Sequence, residues 1–183
     1  VCGFTSFSEK HSPDRVLVQL NFYFSSLVKI VHRHGGTLDK FIGDAMMITT
    51  GVPLFDAQHG ANMVLLALEI RRQVGQINLN LPAGLEPFQV SCGINSGEAI
   101  LGNVGSSERM EFTVIGDTVN LAARLQGKAG AMEIVIGSRT FDLVKDVVNV
   151  EPLEPVSVKG KSAPIQAYKV LGLKEKDASG RTA

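Results

Sequence analysis

The sequence predicts an α+β sandwich in which helices pack on one face of a mostly antiparallel sheet. One observation is a stripe of apolar side chains at helical spacing from Val16 to Val31, after the helix-start pair Ser12-Pro13. Another is a set of short β-rich segments, one of which, residues 88–94, alternates apolar and polar side chains. The third is the order of these segments, which reads helix, hairpin, helix, hairpin, helix, strand, helix and strands.

Local signals set the expected elements one by one. Ser12 is expected to cap the first helix, which begins at Pro13, and Asp117 is expected to cap the third. The later helices are expected at residues 56–77, 118–128 and 139–144. Residues 37–50 predict a hairpin with Gly43-Asp44 near its tip, because Gly-Asp is favoured in turns. The other expected strands are 88–94 with 99–104 as its hairpin partner, 112–115 as a short strand or loop, 134–136, 156–159 and 166–171.

The composition of the chain limits the classes of protein to which it can belong. The chain has 183 residues, with 44% hydrophobic and 20% charged residues, which is enough for one domain with its own core. Lys and Arg total 18, as do Asp and Glu, and this balance argues against a nucleic-acid binder with a broad basic face. We expect one domain over residues 1–172 and a polar, disordered tail over residues 173–183.

Two further compositional features concern cellular location. Cys2 and Cys92 are too few for a disulfide framework, and we expect both to be small apolar side chains in a reducing compartment. The densest apolar run, Met63–Leu68, is far shorter than the ~20 residues that span a bilayer. A cytoplasmic location without direct membrane insertion is therefore expected, although the full-length protein could be soluble or tethered to a membrane.

Five short motifs carry the chemical signal, and each is weak when taken alone. They are Gly3-Phe4-Thr5, Lys40-Phe41-Ile42-Gly43-Asp44, Gly93-Ile94-Asn95-Ser96-Gly97, Phe112 to Arg124, and Val158-Lys159-Gly160-Lys161. In this order and spacing they resemble the catalytic domain of the class III nucleotidyl cyclases, the adenylyl and guanylyl cyclases. The resemblance covers about residues 1–171. It implies a ferredoxin-like sandwich with a C-terminal αβ extension.

The resemblance implies an in-line attack of a ribose 3′-oxygen on the α-phosphate of a nucleoside triphosphate, with release of pyrophosphate. Two Mg²⁺ or Mn²⁺ ions per site would be held by two aspartates, and Asp44 matches the second of them. The first would stand one position before Val1, and a main-chain oxygen near Cys2 would assist. Apart from the resemblance, Gly-Asp in this place is ordinary turn chemistry.

Lys40 and Thr113 match the residues with which the family reads the base. Lysine only donates hydrogen bonds and therefore suits N1 of adenine, which accepts, whereas N1 of guanine carries a hydrogen. The threonine hydroxyl can accept from the 6-amino group. The pair resembles a bacterial-type Lys/Thr subgroup of adenylyl cyclases, whereas mammalian membrane adenylyl cyclases pair lysine with aspartate. Without the resemblance, both residues could be ordinary strand residues.

The remaining candidates bind the ribose and the phosphates. Asn120 and Arg124 are four residues apart and therefore share one helix face. By resemblance, Asn120 lies at the ribose and Arg124 grips the α-phosphate in the transition state. Lys159 matches a lysine on the terminal phosphates, and Arg109 matches a phosphate-binding arginine less securely, because its loop can shift register.

The resemblance also implies a head-to-tail homodimer with two sites, because the family builds each site from two domains. Regulatory domains would lie outside this chain. The leading hypothesis is an adenylyl cyclase that makes cyclic AMP from ATP. The alternatives are a guanylyl cyclase, or a degenerate domain that binds nucleotide or a partner without turnover, since the first aspartate is not in the sequence. An RNA-binding sandwich is disfavoured by the low aromatic content, 6% with no Trp.

Overall fold

The computed structural model describes residues 1–156 and 164–175 of the chain. The helices are α1 (Phe4–Lys10), α2 (Pro13–Arg33), α3 (His59–Leu79), α4 (Asp117–Gln126) and α5 (Ser138–Val144). The strands are β1 (Thr37–Ile42), β2 (Ala45–Thr49), β3 (Cys92–Ile94), β4 (Ile100–Gly105), β5 (Met110–Ile115), β6 (Ile134–Gly137), β7 (Val148–Pro152) and β8 (Ala167–Leu173). The expected α+β class is confirmed.

The strands form one four-stranded sheet and two hairpins. The sheet has the order β3-β6-β8-β7, and only its β3–β6 pair is parallel. The hairpins are β1–β2, as expected, and β4–β5. The expected pairing of residues 99–104 with residues 88–94 is wrong, because β4 pairs with β5 along its whole length.

Residues 88–91 are not a strand because their backbone and side chains bond elsewhere. The Phe88 ring lies 5.0 Å from the Tyr23 ring, and the Phe88 N–H donates to the Tyr23 hydroxyl at 3.0 Å. The Val90 carbonyl accepts from the N–H of Met132 at 2.8 Å. Residues 88–91 therefore close the aromatic core under α2. Of the expected strand 88–94, only Cys92–Ile94 join the sheet.

Strand β6 lies at the centre of the fold and is buried on both faces. Ile134 and Ile136 pack in one apolar cluster with Val64 of α3, whereas Val135 packs on the other side with Leu125 of α4. A continuous apolar run such as Ile-Val-Ile is typical of a strand covered on both faces. The expectation that helices lie on one face of the sheet is therefore wrong, since α4 covers the face opposite α3.

Several boundaries also differ from expectation. Helix α2, which was expected as the first helix, has Ser12 at its cap position and Pro13 as its first residue, as expected. Ser12 makes no side-chain capping bond. The expected Asp117 cap is wrong, because Gly116 occupies the cap position and Asp117 is the first residue of α4. Helix α1 and strand β7 were not expected, because each is short and has no clear periodic pattern.

The C-terminal expectations fall partly on described residues. Of the expected strand 156–159, Val156 forms an isolated antiparallel bridge with Ile165, and residues 157–159 lie outside the described residues. The expected strand 166–171 is β8. Of the expected tail, Leu173 ends β8, and residues 176–183 lie outside the described residues. In the described part of the chain, none of the helices combines the length and the apolar character that a membrane span requires.

Candidate active site

Asp44 lies at the tip of the β1–β2 hairpin. Gly43 has a φ of +59°, a left-handed conformation that glycine adopts without strain, and it turns the chain so that Asp44 starts the return. The Asp44 side chain is 31% exposed, and its Oδ2 lies 3.0 Å from the amino nitrogen of Val1. The Asp44 carbonyl also accepts from this nitrogen at 3.4 Å. The hairpin tip and the start of the described chain therefore meet at one carboxylate.

Lys40 and Thr113 come together at a third residue, Asp39. The Thr113 hydroxyl donates to Oδ2 of Asp39 at 2.7 Å, and the Lys40 ammonium lies 3.6 Å from the same oxygen. Thr113 is 4% exposed. The Asp39 side chain is 8% exposed. The buried carboxylate therefore joins the two hairpins at the two candidate base readers.

An irregularity in β1 makes this arrangement possible. Adjacent residues of a regular strand point to opposite faces. The register of β1 on β2 shifts between Leu38 and Lys40, so that Asp39 is an extra, bulged residue. Bulges re-aim side chains in this way. As a result, Asp39 and Lys40 both reach toward β5, although they are neighbours in sequence.

Glu111 of β5 completes this group. Its Oε1 lies 2.8 Å from the Lys40 ammonium. Glu111 and Thr113 are two residues apart on one strand and therefore share a face. The pKa of Lys40 is raised, mainly by the hydrogen bond to Glu111, against a smaller opposing effect of desolvation, and with further help from the charges of Glu111 and Asp39. Lys40 is therefore a charged donor throughout the neutral range.

Helix α4 carries Asn120 and Arg124, and its position depends on Gly93. The helix packs so closely on β3 that a Cβ at Gly93 would collide with the backbone of Ala122 and Gln126. The predicted shared helix face is present. Within the described ranges, neither the Asn120 nor the Arg124 side chain makes a hydrogen bond or an ion pair, so both are available to a ligand.

The other two candidates are not brought to these groups. Arg109 lies in the exposed turn of the β4–β5 hairpin, where its backbone bonds Ser106 in both directions at 2.9 and 3.2 Å. This turn is at the end of β5 away from α4, about 20 Å along a six-residue strand. Lys159 lies outside the described residues.

Sequence reasoning missed Asp39 and Glu111. A local signal was present, because an acidic residue stands directly before Lys40 and another stands two positions before Thr113. The missing information was the bulge, since a regular strand would direct Asp39 away from Lys40.

Cys92 is not a further catalytic candidate. It lies in β3 against the apolar cluster around β6, and burial raises the pKa of its thiol to about 12. The thiolate is the nucleophilic form of cysteine, and it is scarce at neutral pH when the pKa is so high. The structure thus agrees with the interpretation of Cys92 as a small apolar side chain.

The sequence model of the adenylate and guanylate cyclase catalytic domain matches residues 1–172. The chain belongs to this family. All five motifs of the sequence lie within the matched range, and the group around Asp39 lies where two of them, those of Lys40 and Thr113, meet.

Curated relatives carry both family names. The chain is 33% identical over 176 residues to adenylate cyclase 1 of Rhizobium meliloti (strain 1021), covering 94% of this chain and 26% of that protein. It is 34% identical over 187 residues to adenylate cyclase of Anabaena cylindrica, covering 92% of this chain and 34% of that protein. It is also 30% identical over 183 residues to receptor-type guanylate cyclase gcy-13 of Caenorhabditis elegans, covering 97% and 17%. The chain thus spans about a third or less of each relative.

Solved structures of cyclases share the fold. The adenylyl cyclase CyaB from P. aeruginosa superposes with a TM-score of 0.85 at 34% identity, over 93% of this chain and 89% of that one. The guanylyl cyclase Cya2 gives 0.89 at 31% identity, over 100% and 93%. The guanylate cyclase domain of RhGC from Catenaria anguillulae, in complex with GTP, gives 0.85 at 29% identity, over 94% and 92%. Because both activities are represented, the choice between ATP and GTP depends on the residues of this chain.

Proposed function

We propose that the chain is the catalytic domain of an adenylyl cyclase, which converts ATP to 3′,5′-cyclic AMP and pyrophosphate. The observation that carries the proposal is the meeting of Lys40 and Thr113 at Asp39. A charged donor and a hydroxyl stand side by side on two hairpins, and by resemblance these are the two residues with which the family reads the base.

The chemistry of the two side chains favours adenine. A lysine ammonium has three donors and no acceptor, so it suits N1 of adenine and opposes the N1–H of guanine. The Thr113 hydroxyl would accept from the 6-amino group. A substrate that leaves a buried polar group of the site without a hydrogen-bond partner is strongly disfavoured. Two such mismatches would therefore discriminate against GTP.

On the phosphate side, Arg124 and Asn120 have the roles that the family motif implies. The planar guanidinium of Arg124 would donate to the α-phosphate oxygens on which charge grows as the 3′-oxygen attacks. Asn120, on the same face of α4, would hold the ribose in position for an in-line approach. Lys159 would bind the terminal phosphates, and Arg109 would bind a phosphate group.

The donor set at the hairpin tip is compatible with a hard divalent cation. Asp44 supplies a partly exposed carboxylate, and Mg²⁺ characteristically takes one or two carboxylates together with substrate phosphates and water. The described residues contain no cluster of three or more His, Cys, Asp or Glu side chains that could form a complete protein site. The Val1 nitrogen lies beside the Asp44 carboxylate, so an aspartate directly before Val1, where the family motif has its first metal ligand, would stand close to Asp44. Two bound Mg²⁺ or Mn²⁺ ions would supply charge stabilisation and activation of the attacking oxygen.

A homodimer would complete the site. Arg109 and the α4 pair are far from one another within one chain, whereas a second copy could supply the missing side. The two hairpins also expose large apolar side chains, which is typical of an interaction surface. These side chains, here called the hairpin patch, are Phe41, Ile42, Ile100, Met110 and Phe112, each about half exposed or more. Regulatory domains would lie in the longer protein, in a cytoplasmic setting.

A specificity swap tests the proposal. In the double variant Lys40→Glu/Thr113→Cys, the glutamate would accept from the guanine N1–H, so we expect kcat/KM for ATP to fall and kcat/KM for GTP to rise. The measurement is the formation of cyclic AMP and cyclic GMP with Mn²⁺. Replacing Arg72, an exposed arginine of α3 that pairs with Glu69, by Ala is the matched control and should change neither rate. An unchanged preference for ATP in the double variant would show that these residues do not read the base.

A further inference from the structure

Asp39 contacts both proposed base readers, Lys40 and Thr113, and restricts the hydrogen bonds that they can offer to a base. Its carboxylate is largely enclosed, and it touches both side chains through one oxygen, Oδ2. An ionised carboxylate only accepts hydrogen bonds. In the contact between Asp39 and Thr113, the hydroxyl must therefore be the donor.

We propose that Asp39 selects ATP over GTP by fixing the direction of the Thr113 hydroxyl. A hydroxyl has one hydrogen and two lone pairs. With its hydrogen committed to Asp39 at 2.7 Å, Thr113 offers a base only its lone pairs. It can accept from the 6-amino group of adenine, but it cannot donate to O6 of guanine. Asp39 is thus a positioning residue for specificity, and this role rests on the proposed function.

Burial strengthens this effect. Thr113 is 4% exposed, so a base that reaches its hydroxyl displaces the little water that could compensate for a mismatch. An unmade hydrogen bond in such surroundings costs far more than one at the surface. Without the Asp39 carboxylate, the hydroxyl could rotate to donate to guanine, and the discrimination would weaken.

Asp39 also limits the freedom of Lys40. Of the three donors of the ammonium, one meets Glu111 at 2.8 Å and one faces Asp39 at 3.6 Å. One donor remains for a base. Asp39 therefore has two possible effects on selectivity, through Thr113 and through Lys40, and an experiment has to separate them.

A double-mutant cycle makes this separation. The variants are Asp39→Asn, Thr113→Val and the two combined, compared with the wild type in kcat/KM for ATP and for GTP with Mn²⁺. An asparagine amide both donates and accepts, so it leaves the Thr113 hydroxyl free to point either way at almost unchanged side-chain size. We expect Asp39→Asn to lower the ATP/GTP ratio about tenfold, mainly through faster use of GTP.

The decisive outcome is whether the effect of Asp39→Asn on the ATP/GTP ratio depends on Thr113. In the Thr113→Val background no hydroxyl remains to be oriented, so Asp39→Asn should no longer change the ATP/GTP ratio. An equal fall in both backgrounds would overturn the proposal, because the effect would then pass through Lys40 or the fold. An unchanged ratio in the Thr113-containing protein would overturn it as well. Thermal unfolding of each variant identifies a loss of structure, which would lower both rates without changing their ratio.

Measurements on the wild type distinguish a failure of this proposal from a failure of the proposed function. A wild type that prefers ATP while the cycle shows no coupling overturns only the role of Asp39. If the wild type forms no cyclic product, the same four proteins are compared by displacement of a fluorescent nucleotide with ATP or GTP. A coupled change in that binding ratio supports the role of Asp39 and contradicts the enzyme. Absence of binding, or a preference for GTP, overturns both.

Discussion

The sheet around β6 and the two hairpins are built on opposite principles. All four residues of β6 are buried, and apolar side chains from α3 and α4 cover its two faces. In the hairpins, the buried or partly buried groups include Asp39, Lys40 and Thr113, whereas the hairpin patch is exposed. From this difference we expect the sheet to supply the stability of the fold, and the hairpins to carry the proposed base-reading and metal-binding residues and a surface for a second copy.

The largest effect is expected from Asp44→Asn, which removes the charged metal ligand that the described residues supply at the hairpin tip. We expect kcat to fall about 1,000-fold, because charge on the phosphates is then less well compensated. Raising the Mn²⁺ concentration should restore part of the loss if metal affinity is the cause. Retention of most of the activity would contradict the metal role. The unfolding temperature should change little, because Asp44 is partly exposed at a turn.

A second large effect is expected from Arg124→Ala. We expect kcat to fall about 100-fold with little change in KM, because the guanidinium would act mainly in the transition state. The side chain makes no hydrogen bond or ion pair with other described residues, so stability should be unaffected. Steady-state kinetics and thermal unfolding check both parts. A rise in KM at constant kcat would instead place Arg124 in ground-state binding.

A substitution in the sheet should lower the stability of the fold rather than the activity. Ile136→Ala removes a fully buried side chain of β6, and we expect it to lower the free energy of unfolding by about 2 to 5 kcal/mol. Activity per folded molecule should remain near that of the wild type. Val104→Ala, at an exposed position of β4 outside the hairpin patch, is the matched control and should cost less than about 0.5 kcal/mol. Urea unfolding provides the measurement, and similar costs for the two variants would remove the contrast between the regions.

The smallest expected effect is on self-association. Phe112 is 62% exposed, and Phe112→Ser should weaken dimerisation by roughly 10- to 100-fold if its ring is buried against a second copy. Leu79→Ser is the control, because Leu79 is 77% exposed at the end of α3 and belongs to neither hairpin. Sedimentation over a dilution series distinguishes the two. Equal dimerisation in both variants would locate the interface elsewhere.

Much of the fold was predictable because strong periodic patterns mark long elements. The stripe from Val16 to Val31 predicted α2, and Gly43-Asp44 predicted the tip of the first hairpin. The partner of β4 was not predictable from alternation alone, because pairing is a non-local choice. Phe88 satisfies the alternation of a strand, yet its ring is buried in the aromatic core with Tyr23 instead.

Candidate residues for the site could be proposed from motifs, but the contacts between them could not be predicted. Motifs identified Lys40 and Thr113, and the structure places them around one carboxylate. Asp39 was missed because its orientation depends on a bulge, and no simple sequence signal marks a bulge without glycine. The roles of all the candidate site residues, including Arg109 and Lys159, stay predictions.

One competition assay tests the central claim most directly. The wild-type protein is incubated with equal concentrations of ATP and GTP and with Mn²⁺, and both cyclic products are quantified in the same sample. The arrangement of Lys40, Asp39 and Thr113 predicts cyclic AMP in at least about a hundredfold excess, the discrimination that two opposed hydrogen bonds provide. Cyclic GMP as the main product, or no cyclic product at all, would contradict the account.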